Sequence, residues 1–171
     1  MGQQQLLLLV LGIVIVGLSV VVGIEAFEEN NRKSSFDRIA GQAIDYAGKM
    51  LEWKMKPRAQ GGGQEAAKMS GCSFNNIGVV GGGPIDYHGT NGGDWVQTGP
   101  TYVGLFSMDG SGGYAPHVAV YDPNQDLMIA IFVFGNSPDC LVQRMSYMQD
   151  GSAVYLPAAA PANPDATNCS L

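Results

Sequence analysis

The first 24 residues contain no Asp, Glu, Lys, Arg or His, and no proline occurs before Pro57. The missing charge excludes the basic leader of a cleaved secretory signal, because the flank Met1-Gly2-Gln3-Gln4-Gln5 is uncharged. The missing proline leaves a helix free to run on without a forced break. Basic residues are also scarce, with nine Lys and Arg against fifteen Asp and Glu and a net charge of −6. A pI near 4.6 removes the electrostatic basis for phosphate-backbone binding, so no nucleic acid is expected as a partner. It equally disfavours docking on an anionic leaflet through a basic patch. Two histidines and three cysteines, none closely spaced, do not make up a structural zinc set. A Gly-x-Ser-x-Gly nucleophile elbow is absent, and no Ser or Cys has a base partner legible in the sequence.

What is present begins with Leu6–Ile24, nineteen residues whose only polar side-chain atom is the hydroxyl of Ser19. As a helix this run covers roughly 28 Å, close to the hydrocarbon thickness of a bilayer. The chain then turns charged without a breaker. Glu28 stands four residues before Arg32 and Glu29 four before Lys33, the favourable orientation for pairs along a helix. Phe36, Ile39, Ala40, Ala43, Ala47, Met50 and Leu51 recur at three- and four-residue intervals and form an apolar stripe. The spacing predicts one helix from about Gln3 to Trp53, all-round apolar at its start and amphipathic at its end. Its first part needs hydrophobic neighbours, and its second part needs a domain against the stripe. The expected organisation is a helix over 1–56, with 1–24 as membrane or filament-core segment, followed by a β-rich head over 57–171.

Pro57 and the run Gly61-Gly62-Gly63 mark the helix exit. The Gly- and polar-rich stretch to Pro100 reads as long loops, with Gly78-Val79-Val80 as a short strand at most. Gly81-Gly82-Gly83-Pro84 reads as a flexible surface turn, since no Lys and Ser/Thr pair follows to make a phosphate loop. From Thr101 onward, β-prone runs at 101–107, 114–121, 127–134, 141–148 and 152–156 alternate with turn-forming clusters, which predicts an antiparallel meander. Leu127–Phe134 is expected as the central strand, buried on both faces, one of them receiving the helix stripe. Leu141, Met145 and Met148 also fit helical spacing, so that segment stays open between strand and helix. Residues 157–168, rich in Pro and Ala, read as an extended tail. The fold class expected is α+β, a long N-terminal helix packed on a small antiparallel sheet.

Few residues invite chemistry. Asp86-Tyr87-His88 with Asp94 suggests a metal or general base, but the ligand count is too low, and His117 within a strand after Pro116 reads as a structural imidazole. Asp109-Gly110-Ser111-Gly112-Gly113 and Asp122-Pro123-Asn124-Gln125-Asp126 offer oxygens for Ca²⁺. The same residues are what turns require, and neither matches an EF-hand loop. No enzyme activity, metal or cofactor is expected.

Gly2-Gln3-Gln4-Gln5-Leu6 through Ile24, the helical extension Glu25 to Trp53 and the β-rich, cysteine-bearing remainder together resemble the type IV pilins and pilin-like proteins. The opening Gly-Gln-Gln-Gln-Leu, with Lys56-Pro57 and a Gly-rich run after the helix, is also similar to a group of pilin-like chains. The resemblance implies a subunit that polymerises through its apolar helix into an extracellular filament on the cell surface. Its partners would be further copies of itself, the inner-membrane pilus assembly machinery, and the membrane that holds it before assembly. Gln3, Gln5, Leu7, Gly12, Val16, Gly17, Gly23 and Glu25 would then lie in the filament core, and Gly2 is a candidate processing site. Bacterial type IV pilins keep a glutamate at the fifth mature position. Here that place is Gln5, or Leu7 if the chain is cut after Gly2, and neither is acidic, so amide acceptors of the Gln cluster or water must meet the terminal amine. Pilins also pin the C-terminal segment with a disulfide, which implies Cys140 with Cys169, Cys72 with Cys169 being the second choice. Asn168-Cys169-Ser170 fits the N-glycosylation triplet, although a disulfide at its middle residue hinders access. The alternative reading is a membrane-anchored extracellular binding domain that does not polymerise.

Overall fold

The computed structural model describes residues 2–64, 66, 68–80, 82–85, 95–106, 115–149, 152–156 and 169. One helix, α1, runs from Gly2 to Met55, and seven strands follow: β1 Gly82–Ile85, β2 Trp95–Thr98, β3 Thr101–Phe106, β4 His117–Asp122, β5 Leu127–Val133, β6 Leu141–Gln149 and β7 Ser152–Leu156. The architecture is α+β, as the residue pattern predicts. The chain divides into two compact units, Met1–Phe36 and Asp37–Leu171. The division falls within the helix and not at its end near residue 56, because residues 37–55 are the part that the sheet buries.

Within the second unit, all seven strands pair antiparallel with their sequence neighbours in the order β1 to β7, a pure meander. Register fixes which side chains share a face: Val103 pairs with Val120 and Leu105 with Val118, while Val118 pairs with Ile131 and Val120 with Ile129. These residues alternate along each strand with the set on the opposite face. The helix docks on the Val103 face through buried Ile39, Ala43, Tyr46, Ala47, Met50, Leu51 and Trp53. Two polar contacts fix that docking. Arg38 Nη2 donates to Asp122 Oδ2 at 2.5 Å, and the hydroxyl of Thr101 lies 3.3 Å from Gln42 Oε1. Ile39, Met50 and the facing valines and isoleucines are each buried almost completely, and full burial of such a side chain stabilises by roughly 1.5–3 kcal/mol. The opposite face carries a second cluster, Trp95, Phe106, Ala119, Tyr121, Met128, Ala130 and Phe132. Trp95 meets Phe106 edge-on with centroids 5.2 Å apart. Burial on both faces accounts for the continuous apolar runs of β4 and β5, each buried at every position. β5 is therefore as buried as expected, but β4 holds the middle place in the order.

Several local expectations are corrected. The segment Leu141–Gln149, open between strand and helix, is a strand: it pairs with β5 on one side and β7 on the other, where a helix would leave the facing edge of β5 without backbone partners. Gly82 and Gly83 belong to edge strand β1, paired with β2 through Gly82–Gln97 and Ile85–Trp95, and are not a free turn. Residues 78–80 form no strand, and a 3₁₀ turn at Phe74–Ile77 precedes them instead. The exit from α1 is also tighter than a free chain. The Gly63 amide donates to the Trp53 carbonyl at 2.9 Å, and a Cβ on Gly63 would lie 2.3 Å from the Trp53 ring, so the loop folds back onto the helix end. Lys54 is buried beside it and donates through Nζ to the Ala66 carbonyl; its burial lowers the ammonium pKa.

Cys140 and Cys169 form a disulfide, with Cα atoms 5.4 Å apart and a sequence separation of 29. Closing a loop of that size contributes about 3–4 kcal/mol in the chain-entropy account. Cys72 is buried and unbridged, and burial pushes its thiol up to about 12. Residues 157–168 lie outside the described residues.

The Arg38–Asp122 contact yields a measurable expectation. Asp122 is 1% exposed, so Arg38→Ala leaves a buried carboxylate short of its partner, at a cost of about 1–3 kcal/mol. The measurement is the denaturation midpoint of the head in detergent-solubilised protein. An unchanged midpoint would show that the contact does not anchor the helix.

Candidate functional site

The residues singled out for chemistry resolve into structural roles wherever they are described. His117 stacks between Phe132 and Phe106, with ring centroids 4.3 and 5.2 Å away. Its Nδ1 lies 3.0 Å from the Ala115 carbonyl, an oxygen that can only accept, so Nδ1 carries the proton. Burial lowers its pKa to about 4, leaving a neutral imidazole at physiological pH. Asp122 and Asp126, the carboxylates of the second turn, are also engaged. Asp122 Oδ1 accepts from the Asn124 amide at 3.0 Å, and the Tyr121 hydroxyl donates to Asp126 Oδ1 at 3.0 Å. These are the bonds of a turn between β4 and β5. Among the described residues no group of three or more His, Cys, Asp or Glu is placed to hold a metal. Asp86, His88, Asp94 and the 109–113 cluster lie outside the described residues.

The feature that remains is the first unit. Every residue from Gly2 to Ser34 is exposed, Leu6 and Leu7 each to 67% and Phe27 to 66%. None of the most apolar window of α1 is buried, and the helix is long and apolar enough to cross a membrane. Leu6, Leu7, Val10, Leu11 and Val14 line a shallow apolar surface along it. The one hydroxyl in the run is satisfied internally, Ser19 Oγ donating to the Ile15 carbonyl at 2.8 Å. Gln3, Gln5, Leu7, Val16 and Glu25 are likewise exposed. Apart from the adjoining backbone of the helix itself, nothing lies within 4 Å of where a Cβ would sit on Gly2, Gly12, Gly17 or Gly23. The glycines are thus open notches on a helix that stays regular through them, because each lacks only a side chain and keeps its backbone donor.

An apolar surface of this extent has the length and composition of a membrane-crossing helix, a character that a signal sequence near an N-terminus shares. The helix can lie in lipid, or it can lie among other apolar helices. Its all-round character excludes a one-sided amphipathic contact within residues 6–24, since such a contact would leave polar residues on the other side. Comparison of the chain with protein families, curated proteins and solved structures finds no match.

The buried imidazole sets a pH dependence for the head. An unfolded His titrates near 6.5, while His117 in the fold titrates near 4. Between those values the unfolded chain binds more protons, so stability is fully present above pH 6.5 and declines as pH falls toward 4. The loss expected over that window is about 3 kcal/mol. Urea midpoints from pH 7 to 4 should show this slope, and His117→Phe should flatten it.

Proposed function

We propose that the chain is a structural subunit that polymerises through its apolar N-terminal helix into an extracellular, type IV pilus-like filament. The observation that carries this reading is the wholly exposed run Leu6–Ile24 on a continuous helix whose later part is buried along one stripe against a disulfide-closed sheet. Before assembly the run resides in the membrane, and the inner-membrane pilus assembly machinery transfers it into the filament. There close packing at Gly12, Gly17 and Gly23, together with Leu7 and Val16, replaces lipid contacts. Gln3 and Gln5 supply amide groups near the terminal amine, and Glu25 marks where the apolar core ends. The acidic head forms the outer wall, and no catalysis or nucleic-acid binding is involved.

A second reading rests on the same helix being able to cross a membrane: the run is a plain anchor for an extracellular binding domain that does not polymerise. Electron microscopy and mass spectrometry of sheared surface material separate the two, since only the filament reading places this chain in fibres in bulk.

Two variants test the assembly mechanism. Removing residues 1–27 should give a soluble monomer in sedimentation, because the stripe on residues 39–51 is already covered within the head; fibres from that truncated chain would refute assembly through the helix. Val16→Asp should abolish filaments, since a carboxylate at the centre of an apolar span costs about 2.5–3.5 kcal/mol and residues 1–24 offer no basic side chain to meet it. Normal filament yield from Val16→Asp would favour the anchor reading.

A further inference from the structure

Beyond the apolar run, α1 carries Glu25, Glu28, Glu29, Arg32 and Lys33, all exposed. At the helical advance per residue these five fall within an arc of about 140°. The opposite arc over the same turns holds Ala26, Phe27, Asn30, Asn31 and Ser34, with no charge. One side of the helix thus presents an acidic block followed by a basic block. The four-residue spacing permits pairing within the helix, yet among the described residues ion pairs form at Arg38–Asp122 and Lys49–Asp45 and not among the 25–33 charges.

Resting on the filament reading above, we infer that this arc is a register lock between subunits. It meets the same arc of a second, parallel copy displaced along the axis, so that the acidic block of one lies beside the basic block of the next. Two parallel copies at equal height would set Glu against Glu and Arg against Arg. A shift of four residues, about 6 Å, brings Glu28 and Glu29 level with Arg32 and Lys33, and a shift of seven residues, about 10 Å, brings Glu25 level with Arg32. The ordered pair of blocks is therefore complementary to a shifted copy of itself. A uniformly charged partner or an anionic lipid surface would repel one block while it attracted the other. Exposed ion pairs are individually weak and screened by salt. The contact accordingly sets the axial step between subunits, while the apolar run supplies the cohesion.

The test uses two full-length variants: Arg32→Glu/Lys33→Glu, in which both blocks are acidic, and Glu28→Lys/Glu29→Lys, in which basic residues dominate. Each alone should lose fibres at low salt in a pelleting assay and recover them at about 1 M salt, where the screening length falls to about 3 Å. An equal mixture should assemble at low salt into fibres containing both chains. Circular dichroism and mapping of the Cys140–Cys169 bridge check that each head is folded. The inference is overturned if either variant alone assembles at low salt with wild-type yield and axial rise, or if folded variants fail to co-assemble. Either result leaves the filament reading standing when wild-type fibres form. Absence of fibres from the wild-type chain removes the filament reading, and this contact with it.

Discussion

The solvation of one helix governs the design of this chain. Along α1 residues 6–24 offer apolar side chains on every side and receive no cover, while residues 39–54 offer one stripe that the head buries. A helix with a single apolar stripe is satisfied by a single sheet, whereas one that is apolar all round is satisfied only by a surrounding medium of lipid or like helices. The switch from one pattern to the other at Glu25 separates what the chain settles for itself from what it leaves to its environment.

The head answers its half of the problem with a sheet that is covered on both sides. Facing valines and isoleucines take the helix, and the Trp95–Phe106–Tyr121 cluster fills the other face. Among the described residues the two buried charged side chains each meet a partner, Asp122 under Arg38 and Lys54 against the Ala66 carbonyl. His117 enters uncharged, held between two aromatic rings. The buried ionisable groups that are described thus serve packing and orientation.

Much of this was legible in the sequence because it is written in periods. The three- and four-residue spacing of Ile39, Ala43, Ala47, Met50 and Leu51 gives the buried stripe directly, and turn clusters between β-prone runs give β3 to β7 with ends within three residues. Buried Trp53 and Lys54 escaped that reading, because the loop that folds back at Gly63 and Ala66 lies against them, which the period of the helix does not show. β1 and β2 escaped it as well: a Gly-Gly-Pro strand has little intrinsic preference and exists by pairing with a neighbour. Leu141–Gln149 satisfied both periods, and only the vacant edge of β5 decides between them. The disulfide pairing came from resemblance to pilins, since loop lengths alone left a second choice. The charges of residues 25–33 were legible as helix-compatible pairs, but the absence of intrahelical ion pairs among them appears only in three dimensions.

The bridge between Cys140 and Cys169 has a mechanical side. It joins the residue just before β6 to one beyond β7, so the last two strands of the meander sit inside a covalent ring. A force that peels the sheet from its β7 edge can open that ring but cannot draw out its length, and the pull passes to Cys140, at the foot of the fully buried β5. Tearing would then have to shear a strand buried at every position, which demands far more than unzipping an edge. For a pull applied beyond Cys169, the β7 edge is thereby taken out of series with the load.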